Sequence, residues 1–135
     1  MDNSDLHILI AEDEITHAVA LRRMLEKGYP GAFITVVPSI REYQKSIASK
    51  TPSIVLLDLN LIDGNSLDML KEAAAPPNFP VVMMSSYTSR QVVAEAVAAG
   101  AVSLIIKSPE VFMSVSDIVR DTIAAWNQRC EAGVA

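Results

Sequence analysis

The sequence has little of what marks secreted, membrane-spanning or nucleic-acid-binding chains. Its 135 residues include a single cysteine, Cys130, which excludes an internal disulfide and favours a reducing compartment. Residues 1–5 lack the basic and apolar regions of a secretory signal, and no apolar run approaches the roughly 18 to 20 residues that cross a bilayer. These absences together predict a cytoplasmic protein that makes no contact with a membrane.

Positive charge is also scarce. The 11 lysines and arginines are outnumbered by 16 acidic residues, which gives a formal net charge of −5. Binding to duplex nucleic acid draws most of its affinity from clustered lysine and arginine, and no such cluster occurs here. We therefore expect no direct contact with nucleic acid.

The composition fits one compact domain. Half of the residues are hydrophobic, which is enough for a buried core, and no linker or low-complexity stretch interrupts the chain. We expect a domain over residues 6–129, with tails at 1–5 and 130–135.

Five short apolar runs predict buried β-strands. The central run leads with β-branched residues and ends directly at Asp58, so it resembles a strand that a parallel sheet covers on both faces. An ionised carboxylate is costly inside a sheet, so Asp58 is expected at the strand's carboxyl end. The five runs are residues 6–11, 32–37, 53–57, 80–84 and 101–106.

A helical pattern follows each strand. Ser39, Thr88 and Ser108 are predicted to cap the second, fourth and last helices, with Pro109 as the first residue of the last one. The first helix is expected to stop at Gly28, and the third to include Leu67, Leu70 and Ala74 before two prolines. A single last helix is expected to bury a stripe that begins at Phe112 and ends at Trp126.

Strict strand–helix alternation predicts an α/β fold. Because crossovers between parallel strands are right-handed, the helices cover both faces of a doubly wound five-stranded parallel sheet. The flavodoxin-like order 2-1-3-4-5 is the commonest arrangement for five strands.

Reactive side chains follow four of the five strands. Glu12 and Asp13 come after the first, Asp58 after the third, Ser85 after the fourth and Lys107 after the fifth. Each of them alone is most often a solvated loop residue. In the predicted order, however, these four strands are adjacent and end at one edge of the sheet, which predicts a shared pocket.

Three carboxylates in one pocket require a cation. They repel by several kcal/mol per close pair at an effective dielectric of about 20, and a hard divalent ion such as Mg²⁺ meets the need. With that ion and Lys107 the formal charge cancels, so the pocket can accept an anion. If Asp58 attacks a phosphoryl group, the metal and the ammonium stabilise the transferring oxygens, and Ser85 hydrogen-bonds one of them.

These motifs, in this order and spacing, resemble the receiver domain of bacterial two-component response regulators. The resemblance extends from about residue 6 to residue 126. The segments that carry it are residues 10–14, 54–61, 82–86, 99–101 and 105–107.

The resemblance implies a role for each site residue. Asp58 corresponds to the phosphoacceptor, which receives its phosphoryl group from a histidine of a partner kinase or phosphotransfer protein. Glu12 and Asp13 correspond to the acidic pair that holds Mg²⁺ (or Mn²⁺) together with Asp58, and the main-chain carbonyl of Asn60 is a further ligand. Ser85 and Lys107 correspond to the hydroxyl and the ammonium that contact the phosphoryl group.

The resemblance also implies a signalling protein, not an enzyme. Only self-phosphotransfer and autodephosphorylation are expected, within histidine-to-aspartate phosphorelay signalling. The response is a population shift of the surface formed by the fourth helix, fifth strand and fifth helix, which contacts a downstream protein or an appended output domain.

The sequence departs from the family pattern at two positions near Lys107. Leu104 stands where an aromatic residue is usual, which suggests that switching depends on other contacts, such as those of Tyr87. Ser108 stands where a proline joined by a cis peptide is usual, so either a trans Lys107–Ser108 bond with a shifted loop or a strained cis bond is expected.

Other hypotheses stay open beside this one. A receiver-like docking module that works without phosphorylation needs none of the acids, Ser85 or Lys107. A flavin carrier would have a phosphate-binding loop in place of the acids after the first strand. A dehalogenase-type phosphatase would have a second aspartate at the position of Asn60.

His7 and His17 lack a third metal ligand nearby and are interpreted as structural or surface residues.

Overall fold

The computed structural model describes residues 3–133. The helices and strands alternate as the sequence predicts, with one additional hairpin after the third strand. In chain order they are β1 (His7–Ala11), α1 (Ile15–Gly28), β2 (Phe33–Val37), α2 (Ile40–Ser49), β3 (Ile54–Asp58), β4 (Asn60–Leu61), β5 (Gly64–Asn65), α3 (Ser66–Glu72), β6 (Val81–Ser85), α4 (Arg90–Ala98), β7 (Ser103–Ile106), α5 (Pro109–Met113) and α6 (Val115–Glu131).

Five of the strands form one parallel sheet in the order β2-β1-β3-β6-β7. Counting only these five strands, this is the predicted order 2-1-3-4-5, so the flavodoxin-like doubly wound fold is confirmed. The register pairs Asp58 with Met84 and Ser85 with Ile106. Because all five strands run the same way, their carboxyl ends share one edge of the sheet.

The central strands are buried on both faces. In β3, Leu57 packs toward the core under α2, α3 and α4, whereas its neighbour Leu56 packs toward the core under α1 and α6. Both side chains have no exposed surface. This two-sided burial explains the uninterrupted aliphatic run that precedes Asp58.

Two of the three predicted helix caps are confirmed. The Ser39 hydroxyl accepts a hydrogen bond from the Glu42 N–H at 3.1 Å, and the Ser108 hydroxyl accepts one from Val111 at 3.2 Å. Pro109 is the first residue of α5. The Thr88 prediction was wrong, since Ser89 is the extended residue before α4 and its hydroxyl accepts from the Val92 N–H. Adjacent hydroxyl residues offer two caps, and the backbone conformation selects between them.

Two helices differ from the sequence pattern. Helix α3 stops at Glu72, before Ala74, because Ala73 is already extended and the exposed alanines bury too little apolar area to continue it. The predicted single last helix is divided at Ser114, whose hydroxyl donates to the Glu110 carbonyl. Such side-chain bonds compete with the helical backbone pattern.

The C-terminal helix extends into the segment that the sequence assigned to a tail. Cys130 and Glu131 are the last two residues of α6. Residues 1, 2, 134 and 135, which belong to the two predicted tails, lie outside the described residues. Between residues 3 and 133, no helix is long and apolar enough to span a bilayer.

The hairpin of β4 and β5 begins two residues after Asp58. Its turn carries Asp63, whose carboxylate accepts the N–H groups of Ile40 at 2.7 Å and Arg41 at 3.0 Å. These hydrogen bonds cap the N-terminus of α2 and hold the pKa of Asp63 below its ordinary value. The segment that directly follows Asp58 is therefore tied to a neighbouring helix.

Candidate functional site

The predicted site residues meet at the carboxyl edge of the sheet. Asp58 and Ser85 are the last residues of β3 and β6, Lys107 follows β7, and Asp13 follows β1. These four side chains line one cleft of about 460 Å³. Glu12 follows β1 directly and is buried beside the cleft, with 2% of its surface exposed.

Lys107 joins two of the acids. Its Nζ donates to Glu12 Oε1 at 2.8 Å and to Asp58 Oδ2 at 2.9 Å. The three side chains are at most 7% exposed, so water screens these ion pairs little. Residues that are 95 and 49 positions apart in the chain thus form one charged cluster.

The remaining carboxylate oxygens have backbone donors. Glu12 Oε2 accepts from the Glu14 N–H at 3.1 Å, and Asp58 Oδ1 accepts from the Asn60 N–H at 3.3 Å. Each of the four oxygens of Glu12 and Asp58 therefore has a donor. Such a cluster stays charged in a buried site only while these donors stay in place.

Burial and the shared hydrogen bonds together set the proton equilibria of the cluster. Burial raises the pKa of Glu12 to about 7, a shift that neighbouring Asp58 reinforces and Lys107 opposes. Burial by itself lowers the pKa of Lys107, but the hydrogen bonds to Glu12 and Asp58 outweigh it, so the pKa lies above its ordinary value. The ammonium is therefore the stable form of Lys107 in this pocket.

The acids can hold a metal ion. Glu12, Asp13 and Asp58 each offer a carboxylate oxygen, and these atoms all lie within 4.8 Å of one another. Three oxygen donors suit a hard divalent ion such as Mg²⁺, and the exposed side of Asp13 leaves room for the waters that such an ion keeps. Asn60 lines the same cleft from β4.

Ser85 lies in the cleft, but its hydroxyl is turned toward its own loop. It donates to the Tyr87 carbonyl and accepts from the Tyr87 N–H at 3.3 Å. The Tyr87 side chain is 82% exposed. These two hydrogen bonds thus both join the hydroxyl to the loop that follows β6.

The structure places both residues that depart from the family pattern, Leu104 and Ser108. Leu104 lies on β7, where it is partly buried against the core under α4. No cis peptide bond occurs among residues 3–133, so the Lys107–Ser108 bond is trans. Ser108 instead caps α5, whose first residue, Pro109, lies two positions after Lys107.

One residue beside the pocket was missed by sequence reasoning. His17 was interpreted as structural or surface, yet its Nδ1 lies 3.8 Å from Glu12 Oε1 and 3.6 Å from Glu14 Oε2. Glu14 caps α1, and hydrogen bonds from the Thr16 hydroxyl and the His17 N–H lower its pKa. A cap at Glu14 places His17 one turn later on the same face, and that spacing was the available signal.

The family model of the response regulator receiver domain matches residues 8–114 of the sequence. The chain therefore belongs to this family. FilR1, a methanogenesis regulatory protein of Methanothrix harundinacea (strain 6Ac), is 24% identical over 131 residues, which is 94% of this chain and 29% of that protein. The transcriptional regulatory protein ZraR of Escherichia coli (strain K12) is 29% identical over 108 residues, which is 79% of this chain and 24% of that protein. The chain thus spans less than a third of the length of these relatives.

Solved structures share the fold. A CheY-like receiver domain protein from Methanospirillum hungatei JF-1 superposes with a TM-score of 0.78 at 19% identity, over 92% of this chain and 98% of that one. The phosphorylated cyanobacterial phytochrome response regulator RcpA gives a TM-score of 0.73 at 20% identity, over 90% and 93% of the two chains. At these identities the likeness concerns the fold alone.

Proposed function

We propose that this chain is a Mg²⁺-dependent phosphoacceptor in histidine-to-aspartate signalling and that it is phosphorylated on Asp58. The observation that carries the proposal is the contact of Lys107 Nζ with both Asp58 and Glu12, inside a pocket whose three acids can share a metal ion. Membership of the receiver family supports it. RcpA, which shares the fold, is known in a phosphorylated form.

The geometry suits attack by Asp58 on a phosphorylated histidine of a kinase or phosphotransfer protein. A carboxylate oxygen of Asp58 bonds to phosphorus, the phosphorus–nitrogen bond of the donor breaks, and an acyl phosphate forms. Lys107, held 2.9 Å from Asp58, pairs with a phosphoryl oxygen as negative charge accumulates there. Glu12, Asp13, Asp58 and the Asn60 carbonyl would hold Mg²⁺ (or Mn²⁺), which would supply further positive charge to those oxygens.

The response to phosphorylation begins at Ser85. Its hydroxyl leaves Tyr87 and donates to a phosphoryl oxygen, and the exposed loop at Tyr87 rearranges with it. The bistable element is the surface of α4, β7 and the last helix of the prediction, which is divided into α5 and α6. The new Ser85 contact shifts the equilibrium of this surface between two conformations. With Leu104 on β7 in place of an aromatic side chain, Tyr87 contributes more of the switching contacts.

The output is carried by another protein or by another domain. Val97 on α4 and Ile106 on β7 are 51% and 47% exposed, so this surface offers apolar contacts to a partner. The domain itself covers residues 6–129, and no catalysis is expected beyond phosphorylation and dephosphorylation of Asp58. A cytoplasmic location agrees with the single cysteine.

Phosphorylation with a small donor tests the proposal. The chain is incubated with acetyl phosphate and Mg²⁺, and incorporation is followed by intact mass and by lability to hydroxylamine. Incorporation is expected in the unaltered chain and in Asp68→Asn, a matched control on the exposed face of α3, but not in Asp58→Asn. No incorporation in the unaltered chain contradicts the proposal and favours a docking module that works without phosphorylation.

A further inference from the structure

The His17 side chain lies between the acidic pocket and the groove that α1 and α5 form. Its ring packs edge-on against Phe112 of α5, with 5.4 Å between ring centroids, and this contact fixes the orientation of the imidazole. Its Nδ1 is shielded from solvent and has no hydrogen-bond partner within residues 3–133. A buried polar atom without a partner is costly, so its position calls for an explanation.

Two carboxylates face this nitrogen, and they differ in exposure and in the hydrogen bonds that they accept. Glu14 is half-exposed, and it already accepts hydrogen bonds from the Thr16 hydroxyl and the His17 N–H. The Glu12 carboxylate has no exposed surface. In the described part of the chain, Lys107 Nζ is the donor to Glu12 Oε1, the same oxygen that His17 Nδ1 faces at 3.8 Å.

Phosphorylation of Asp58, which rests on the proposed function, changes the hydrogen bonds that Lys107 makes. Lys107 divides its ammonium between Glu12 and Asp58 at nearly equal distances. A phosphoryl group on Asp58 carries close to two negative charges and therefore draws the ammonium toward its oxygens. Glu12 Oε1 then loses its donor while remaining buried, which is unfavourable for an ionised oxygen.

We propose that His17 is a positioning residue that replaces Lys107 as the hydrogen-bond donor to Glu12 when Asp58 is phosphorylated. Movement of Nδ1 by about 0.9 Å brings it to ordinary hydrogen-bond distance from Glu12 Oε1. Nδ1 carries a proton in the imidazolium and in one neutral tautomer, and the two facing carboxylates favour that tautomer. Glu12 thereby keeps the orientation that suits a metal ligand while Lys107 contacts the phosphoryl group.

Three substitutions of His17 separate hydrogen bonding from packing. His17→Asn keeps an N–H close to the position of Nδ1, and His17→Leu has a comparable size without a donor. His17→Gln moves the donor to the position of Nε2, so it serves as a second variant if the leucine variant does not fold. Binding of beryllofluoride in the presence of Mg²⁺, measured by calorimetry, reports the phosphorylated-like state, and binding of Mg²⁺ alone reports the free state.

The expected results distinguish the two states. His17→Leu and His17→Gln weaken beryllofluoride binding about tenfold, whereas His17→Asn stays within about twofold of the unaltered chain. Binding of Mg²⁺ alone stays within about twofold in all of them, because Lys107 still serves Glu12 when no phosphoryl group is present.

Two results overturn the inference about His17. One is equal beryllofluoride binding by the leucine, glutamine and asparagine variants, and the other is an equal loss of binding for Mg²⁺ alone. In both cases the unaltered chain still accepts phosphate from acetyl phosphate, and the proposed function stands. If the unaltered chain takes up neither phosphate nor beryllofluoride, the proposed function and the inference both fail.

Discussion

At the scale of single residues, the chemistry of the pocket depends on Lys107. A buried ion pair contributes little net stability, but removal of one partner leaves an uncompensated charge and is strongly destabilising. Here one ammonium serves two carboxylates whose side chains are at most 7% exposed. Its loss therefore affects both Glu12 and Asp58.

The first prediction concerns Lys107→Met without metal. We expect the free energy of unfolding to fall by about 3 kcal/mol at pH 8. The loss is smaller at pH 6, because Glu12, with a pKa raised to about 7, is then mostly protonated and no longer needs a counter-charge. Urea unfolding at the two pH values measures the difference.

Lys71→Met is the matched control. Lys71 Nζ lies 2.6 Å from Glu95 Oε1, but these side chains are 42% and 38% exposed. A solvated pair of this kind contributes less than about 1 kcal/mol. Equal losses for the two methionine variants would contradict the view that burial sets the strength of the Lys107 cluster.

The second prediction concerns metal binding and pH. Because burial raises the pKa of Glu12 to about 7, its proton must leave before the carboxylate can ligate a cation. The affinity for Mg²⁺ is therefore expected to rise about tenfold between pH 6 and pH 8, with most of the change below pH 7. Calorimetric titrations at pH 6, 7 and 8 measure it.

Glu12→Gln is the control for that experiment. Its amide cannot ionise, so the affinity is expected to be weaker and nearly flat over the same range. A pH dependence that survives in Glu12→Gln would assign the proton to a different group.

At the scale of helices and strands, the hairpin of β4 and β5 links the loop after Asp58 to α2. Asp63 accepts two N–H groups at the start of α2, and Ser39 satisfies a third. The first turn of a helix has four N–H groups without an intrahelical partner, so these contacts matter to α2 as well as to the loop. They also fix the backbone near Asn60, the proposed metal ligand.

The third prediction tests this link through Asp63→Asn. The carboxylate form of Asp63 is favoured in the folded chain, which lowers its pKa from 3.8. Its stabilisation is therefore fully present above pH 4 and is lost as the pH falls through the lower folded-state pKa. Thermal unfolding is expected to show a lower midpoint for Asp63→Asn at pH 7, with the two curves converging in acid.

Ser39→Ala provides the comparison for the same helix end. Its hydroxyl does not titrate, so the loss of about 1 kcal/mol should not depend on pH. An Asp63→Asn deficit that stays constant down to strong acid would show that the charge of Asp63 is not what caps α2.

At the scale of the whole molecule, the sheet is fully buried at its centre and more exposed at one edge. β1, β3 and β6 are buried along their entire lengths, whereas every residue of β7 is at least partly exposed. The proposed output surface thus lies on the part of the sheet with the least burial. Elements that move in a switch are drawn from regions of low local stability.

The fourth prediction follows from this difference in burial between the central strands and β7. Amide hydrogens of β3 are expected to exchange only through global unfolding, and those of β7 and α5 at least about tenfold faster through local opening. Hydrogen exchange followed by mass spectrometry on the unphosphorylated chain measures both. Protection of β7 equal to that of β3 would contradict a mobile edge at the proposed output surface.

The sequence by itself determined the fold and the set of candidate site residues. Apolar runs separated by helical patterns specify a parallel sheet, and strand ends place Asp13, Asp58 and Lys107 at one edge, because these signals are local and periodic. Helix limits were less predictable. The end of α3 at Glu72 depends on small differences in burial, and the break at Ser114 depends on a serine side chain that competes with the backbone.

Only the tertiary structure decided which groups touch. The contacts of Lys107 with Glu12 and of Asp63 with α2 join residues 95 and 23 positions apart, and no local pattern encodes a choice among such partners. The position of His17 beside Glu12 depends on the packing of α1 against Phe112. Long-range packing sets these distances to within a few tenths of an ångström, and the hydrogen bonds of the pocket depend on that precision.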